Sequence, residues 1–335
     1  MPDKDIIAIS NALTDVIISA TDEEIERLDS GKFPFEDLEE IVEFSNRDVK
    51  IIPGGSPANV VANASYLGAK CGLICTLGEK DEIGDKYRED LAKNNIEDLS
   101  HGIPFEHSGI CYTLISSSGE RHFSTRMGAS SKFFVEDIER KKILEYKLLH
   151  TSGYELKTDK EAVLNAIKLA KDNRKIISFD LADEKVVGNA IGKTINDSLT
   201  ALSLADILFA NEKEAGELGE DYIKDIAGKS NIFVKKLGEK GSKIYYKGNE
   251  CEIPIYECKK LNTNGAGDAY AAGFLVNYLK MGGSTHDLSF KEVIECGHRG
   301  SKLASQVCEM PGARLSKPKS NLDANNYEFF MRNRG

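Results

Sequence analysis

The sequence predicts an α/β fold: a three-layer α/β/α domain on a mostly parallel sheet, with a small β-lid inserted discontinuously. Three observations predict it. Short apolar runs alternate with segments of helical spacing over most of the chain, the pattern of parallel strands joined by covering helices. That alternation breaks where strand-like runs follow one another early in the chain and where a hairpin signal appears near 117–120. No internal repeat or low-complexity linker divides the 335 residues. The chain therefore reads as one domain over 1–335, with the lid contributed by about 14–53 and 108–127.

The elements follow in order. Ile6-Ile7-Ala8-Ile9 is a buried strand that ends at the polar Ser10-Asn11-Ala12, and Val16-Ile17-Ile18 is a second short strand. Residues 21–48 are acidic and helical in pattern, opened by Thr21-Asp22-Glu23-Glu24, which has the form of a capping box. Val49-Lys50-Ile51-Ile52 returns as a strand and Pro53-Gly54-Gly55 stops it. Val60, Val61, Ala64 and Leu67 recur at helical spacing within 58–69, and Gly68 closes that helix. A buried strand at 73–77 and a helix at 87–94 come next. Runs at 110–116 and 121–125 flank Ser117-Ser118-Gly119-Glu120 as a hairpin. Strands at 148–151, 175–181 and 205–210 each follow a helical pattern, further strands lie at 232–237 and 243–247, and 266–310 is mostly helical.

Composition narrows the function. A net charge of −10 disfavours binding to a nucleic-acid backbone, which needs the opposite sign. No apolar run approaches the roughly 20 residues that span a bilayer. The opening Met1-Pro2-Asp3-Lys4-Asp5 has no basic stretch leading into an apolar one, so no secretion signal is expected. The seven cysteines are scattered without a C-x-x-C, as in reduced thiols of a cytoplasmic protein. The six histidines form no zinc-like pair.

Four segments could carry chemistry. In Gly54-Gly55-Ser56-Pro57-Ala58-Asn59, two glycines after a strand allow close backbone approach, and Asn59 on the first helical turn offers donors and acceptors. A plain strand-to-helix turn has the same pattern. In Asn262-Thr263-Asn264-Gly265-Ala266-Gly267-Asp268, a Gly-x-Gly turn opens a helix of small residues, whose first N–H groups and dipole favour an anion. A carboxylate there is awkward beside an anion. It makes sense if Asp268 takes a proton from a hydroxyl that attacks a phosphoryl group; the alternative is that it caps the helix. Asn211-Glu212-Lys213-Glu214 follows a strand end, where acidic and amide groups could hold hydrated Mg²⁺. Leu237-Gly238-Glu239-Lys240-Gly241 is a glycine-bearing loop after another strand. Neither a Walker A loop, a dinucleotide fingerprint after an early strand, nor a G-x-S-x-G elbow occurs.

Together these segments resemble the ribokinase/PfkB family of carbohydrate and nucleoside kinases. The likeness runs from Asn11 to Ala313 in a specific order: Asn11-Ala12-Leu13-x-Asp15, Gly54-Gly55-x-x-x-Asn59, the hairpin with Gly119-Glu120-Arg121, Asn211-x-x-Glu214, Leu237-Gly238-x-x-Gly241, Gly265-Ala266-Gly267-Asp268, then Val307 and Gly312-Ala313. The resemblance implies a ribokinase-like fold and an ATP-dependent, Mg²⁺-requiring kinase acting on a hydroxymethyl group of a small sugar or nucleoside. It implies that Asp15, Gly55 and Asn59 bind acceptor hydroxyls, with Asn11 and Gly54 shaping the floor. Gly265, Ala266 and Gly267 would form an anion hole and Asp268 would be the general base. Asn211 and Glu214 would organise Mg²⁺ and phosphates through water, and Lys236, Gly238 and Gly241 would lie along the nucleotide. The acidic segment at 21–48 and Met127-Gly128-Ala129-Ser130 look more like the adenosine-kinase-like branch. Either a monomer or a homodimer joined through the lid is compatible with it.

Two departures stand out. Asn262 occupies the place of an Asp that, in ribokinase-like members, helps bind an activating monovalent cation, so little dependence on potassium is expected. Ser10 stands where the family usually has Gly. The rival readings are a binding protein that kept the pocket and lost the chemistry, and a Rossmann-type NAD-dependent dehydrogenase.

Overall fold

The computed structural model of the chain describes residues 3–29, 49–116, 121–132, 140–182, 197–228, 231–310 and 312–315. The hairpin tip at 117–120 and residues 30–48 of the acidic segment at 21–48 lie outside the described residues.

The chain starts with β1 (Lys4–Ile9), β2 (Leu13–Ser19), α1 (Asp22–Asp29) and β3 (Lys50–Pro53). Next come α2 (Ser56–Tyr66), β4 (Cys71–Gly78), α3 (Glu82–Lys93) and β5 (Ile96–Ile103). The hairpin strands are β6 (Gly109–Ile115) and β7 (Arg121–Arg126), followed by α4 (Arg140–Leu144) and β8 (Tyr146–Ser152). The alternation resumes with α5 (Gly153–Thr158), α6 (Lys160–Asp172), β9 (Ile176–Asp180), α7 (Asp197–Leu204) and β10 (Ile207–Asn211). After α8 (Glu212–Leu218) and α9 (Glu220–Gly228) come β11 (Ile232–Lys236), β12 (Ser242–Tyr246), β13 (Asn249–Ile253), α10 (Ala266–Lys280) and α11 (Phe290–Cys308).

Nine strands form one sheet in the order β13-β12-β11-β10-β9-β8-β1-β4-β5. It is parallel from β11 to β5, and β12 and β13 are antiparallel additions at one edge. The run Ile6-Ile7-Ala8-Ile9 is apolar at every position because both faces of its strand are covered. Ile6 and Ala8 pack with α2, α10 and α11 on one face, while Ile7 and Ile9 pack with α6 and α7 on the other. The chain first builds outward from β1 to β4 and β5, then returns to place β8 on the other side of β1. That reversal leaves a crevice at the C-terminal ends of β1 and β8, where ligands of open α/β sheets bind.

A second, four-stranded sheet has the order β3-β2-β6-β7. It buries Val16, Ile18, Ile110, Tyr112 and Leu114 in a small core with Ile25 of α1. Strand alternation puts the neighbours of these residues on the opposite face. There Ile52, Asp15, Cys111 and Thr125 stand side by side across the four strands. Thr21 and Glu24 cap α1 reciprocally, as their spacing predicts. All seven cysteines are free. Among the described residues, no helix is long and apolar enough to cross a membrane.

Candidate active site

The crevice is built from glycines that let distant backbones touch. Gly55 has φ +92°, a conformation that side chains oppose, and a Cβ there would stand 2.5 Å from the Asn11 carbonyl oxygen. The crossing from β1 to β2 therefore lies directly on the entry to α2. The Gly54 amide donates to the Leu13 carbonyl at 2.7 Å. A Cβ on Gly54 would lie 3.2 Å from Asp15 Oδ2, so the Asp15 carboxylate rests against bare backbone. Burial pushes the Asp15 carboxyl above its usual range, opposed by the Arg314 guanidinium. Asn11 is held from below, its amide donating to Glu155 Oε1 at 2.9 Å. Four of the five residues expected to bind the acceptor, Asn11, Asp15, Gly54 and Gly55, thus meet in one place, and the fifth, Asn59, lies between Asp268 and Arg314.

Asp268 faces them from the first turn of α10. That helix begins at Gly265, which is left-handed with φ +75° and carries Ala313 against it where a Cβ would stand. No side chain caps the start. The Ala266 amide donates back to the Thr263 carbonyl at 3.2 Å, so it closes the turn. Asp268 Oδ1 accepts from Ser56 Oγ at 2.8 Å and Oδ2 accepts from Asn59 Nδ2 at 2.9 Å. Burial raises the Asp268 carboxyl above its usual range; the two hydrogen bonds oppose this, Asp180 adds to it and Lys236 counters it. Although its surface is only partly covered, protein atoms surround the carboxylate closely enough for burial to dominate.

The other side of the crevice is cationic through Lys236, at the end of β11. Its ammonium lies 3.3 Å from where a Cβ on Gly267 would stand, so a side chain there would push the lysine back by a few tenths of an ångström. It pairs with Asp180 Oδ2 at 2.5 Å, and Asp180 is the last residue of β9. Burial alone would lower the Lys236 pKa; attraction to Asp180, then to Glu214 and Asp268, raises it instead and keeps the lysine charged.

Asn211 and Glu214 form a reciprocal capping box at the start of α8. The Glu214 carboxylate accepts from the Asn211 amide at 2.7 Å and from Asn211 Nδ2 at 2.6 Å. Among the described residues, no cluster of three or more His, Cys, Asp or Glu could cage a metal ion. An Mg²⁺ here would be held mainly by phosphates and water, and Asn211 and Glu214, already bonded to each other, would reach it only through water. Gly238, φ +61°, lies in the open loop beyond Lys236. Gly241 serves the turn into β12, where any Cβ would strike the Ile253 carbonyl at 2.1 Å. Asn262 is buried, and its Oδ1 accepts from the Asn264 amide at 3.0 Å.

Three participants were not anticipated from the sequence. Ser56 sits one helical turn before Asn59 and shares its face, a spacing that could have flagged it. Asp180 ends a strand beside the crevice, and strand ends are where such sites gather. Arg314 offered no local signal. The geometry unites the Asp268 carboxylate, an uncapped helix start and a buried cation, opposite a floor of glycines and Asp15. Such a site can bind a hydroxylated molecule on one side and an anion on the other.

The profile of the pfkB family carbohydrate kinases matches residues 30–320. A 5-dehydro-2-deoxygluconokinase of Listeria monocytogenes is 31% identical over 240 residues, covering 66% of this chain and 73% of that protein. An ATP-dependent ribose-1-phosphate kinase of Halopiger xanaduensis is 27% identical, over 78% of this chain and 86% of its own length. The crystal structure of an adenosine kinase from Sinorhizobium meliloti superimposes with a TM-score of 0.77 at 22% identity, covering 97% of this chain and 99% of that one.

Proposed function

The chain belongs to the pfkB family of carbohydrate kinases, and from that premise we propose that it catalyses the ATP-dependent phosphorylation of a hydroxymethyl group on a small sugar or nucleoside. One observation carries the reading. Asp268 is held by Ser56 at 2.8 Å and Asn59 at 2.9 Å on the first turn of an uncapped helix, with the Lys236 ammonium beside that turn. A base next to an anion-binding turn suits a hydroxyl that loses its proton as it attacks a phosphoryl group.

In this reading Asp268 takes the proton from the acceptor hydroxyl. The freed oxygen bonds to the γ-phosphorus, the bond to the β–γ bridging oxygen breaks, and ADP leaves with the electron pair. Asn11, Asp15, Gly54 and Gly55 hold the acceptor's other hydroxyls. The helix start at 265–267 and Lys236 meet the charge on the phosphoryl group. Mg²⁺, when bound, neutralises phosphate charge, and Asn211 and Glu214 would hold it through water. The four-stranded sheet acts as a lid over the acceptor, contributed by about 14–53 and 108–127 of a single kinase domain, and its closure excludes water as a competing acceptor.

The acceptor is ribose-like or adenosine-like in this proposal. The relatives named for ribose 1-phosphate and for 5-dehydro-2-deoxygluconate widen the panel to test. An ADP-release assay with Mg²⁺-ATP and ribose, fructose, adenosine, inosine, cytidine, 2-keto-3-deoxygluconate and those two compounds tests it. Turnover on at least one, with ³¹P NMR placing the phosphate on a hydroxymethyl carbon, supports the reading. Saturable binding with no ADP release from any acceptor would sink it and leave a binding protein.

A further inference from the structure

We propose that Arg314 is a positioning residue for Asp268: by donating to Asn59 it fixes which end of that amide meets the carboxylate. The proposal rests on the kinase reading only for its kinetic consequences.

An amide side chain presents an oxygen at one end and an NH₂ at the other, and the two ends have nearly the same shape. Asn59 stands between two partners that force opposite choices. Arg314 Nε can only donate, and it lies 2.8 Å from Asn59 Oδ1. With the oxygen held there, Nδ2 must face Asp268, and it does so at 2.9 Å from Oδ2. Without the guanidinium only the ionised carboxylate itself favours that orientation, through the Nδ2 bond. Once Asp268 is protonated the amide can then turn over and accept from it, so the donor that favours the charged form is no longer secured.

Arg314 is itself immobilised, as a part that sets geometry must be. Only 8% of its side chain is exposed. Nη1 pairs with Asp90, and Nη2 donates to the Gly54 carbonyl at 3.0 Å. That same carbonyl accepts from Tyr87 Oη at 2.7 Å, and the guanidinium lies 5.9 Å from the Tyr87 ring centre. The backbone on either side is stitched to α2 one turn below Asn59. Asn63 Nδ2 donates to the Ala313 carbonyl at 3.0 Å, and the Leu315 amide donates to Asn63 Oδ1 at 3.0 Å. Ala313 meanwhile packs against Gly265 at the start of α10. The short strap at 312–315 therefore touches both elements that carry the site, α2 and α10.

The charged surroundings are few. Asp268 feels Asp180 from β9 and Lys236 from β11, with Ser56 and Asn59 donating from α2. Glu214 of α8 acts on Lys236. Arg314 faces Asp90 of α3 and acts on Asp15 of the small sheet. Losing the Asn59 donor removes a contact that favours the charged carboxylate, so the proton is held more tightly by Asp268.

The test uses the full chain as wild type, Arg314→Met, Arg314→Lys, Asn59→Leu and the double variant Arg314→Met/Asn59→Leu. Expected for Arg314→Met is a fall in kcat of about 10- to 100-fold, the effect of one charge-assisted hydrogen bond. The acid limb of its kcat profile moves up by about one pH unit, and KM for ATP stays within about threefold. Arg314→Lys keeps the Asp90 ion pair and the melting temperature but shows the kcat loss, because the Nε donor is gone. The double variant is no slower than Asn59→Leu, since the effect runs through that amide. Losses that multiply in the double variant, with an unmoved acid limb, would overturn the proposal and make the strap merely structural. A ¹³C titration of the Asp268 carboxyl without substrates separates this from the functional reading. Its midpoint should rise in Arg314→Met even if no acceptor is ever found, and an unchanged midpoint refutes the positioning role.

Discussion

Replacing Lys236 by methionine should destabilise the fold and stop turnover, and a second substitution should repair only the first effect. Asp180 is 4% exposed and pairs with the Lys236 ammonium at 2.5 Å. Removing one partner of a buried pair leaves the other charge uncompensated, which costs about 3–5 kcal/mol. The Ala182 amide still donates to Asp180 Oδ1 at 3.2 Å, so the lower end of that range is expected. Lys236→Met/Asp180→Asn removes both charges and keeps that acceptor. It should recover most of the lost stability. Neither variant has a cation beside the 265–267 turn, so kcat should fall about 10²-fold or more in both, the scale of losing one preorganised electrostatic contact. Urea unfolding with m-values reads the first quantity and ADP release the second. The reasoning is refuted if Lys236→Met costs less than about 1 kcal/mol, well below a buried-pair effect. It is refuted equally if the double variant regains turnover.

Three further outcomes are expected. Asp268→Asn keeps the side-chain shape but cannot take a proton, so kcat should drop about 10²–10⁴-fold with nucleotide affinity unchanged; retention of more than about a third of wild-type kcat would remove it as the base. Glu155, buried beneath Asn11, is pushed up to about 7 from 4.5 by burial, against hydrogen bonds from Ser152 and Asn11. The folded state holds this proton more tightly than the unfolded chain, so its stabilising share is full below about pH 4.5 and is lost as pH rises through about 7. Wild type should therefore lose up to about 3 kcal/mol relative to Glu155→Gln between about pH 5 and 8 in urea unfolding, and a constant difference would contradict the assignment. Potassium titrated against a large organic cation at constant ionic strength should change activity little, because Asn262 offers a dipole in place of a charge and its oxygen already accepts from Asn264. Asn262→Asp should create potassium activation, and strong activation of the unmodified protein would overturn this.

The elements legible in the sequence were those with a buried face on both sides or a clear turn at the end. β1 and β4 show it as largely apolar runs, at 6–9 and 73–77. Strands β5 and β13 were not anticipated, and both are sheet edges. β5 mixes Ile96 and Leu99 with Glu97, Asp98 and His101, and β13 buries only Ile253, so neither needs apolar residues throughout. The helix expected at 87–94 begins earlier, at Glu82, because its first turn is charged and is set by the Asp81 cap rather than by apolar spacing. In the site, Gly55 and Gly265 were legible because left-handed backbone demands glycine there. Ser56 and Asn59 bond to Asp268 across 212 and 209 residues, and no local pattern can announce such pairings. Gly241 is also demanded by hairpin geometry, because a Cβ there would strike the Ile253 carbonyl.

The strap at 312–315 also sets the order in which a working molecule can come into being. Arg314 reaches Asn59 across 255 residues, and Asn63 reaches Ala313 across 250. At roughly 5–20 residues per second, a ribosome takes roughly 13 to 50 s to make that span. For all that time α2 and its glycines exist while the residues that finish the crevice do not. Helices and neighbouring parallel strands close shorter loops and can settle meanwhile, whereas these ties are among the longest loops the fold must close. The centre is thus completed only when the last of its parts emerges, and a nascent chain carries its two halves apart until then.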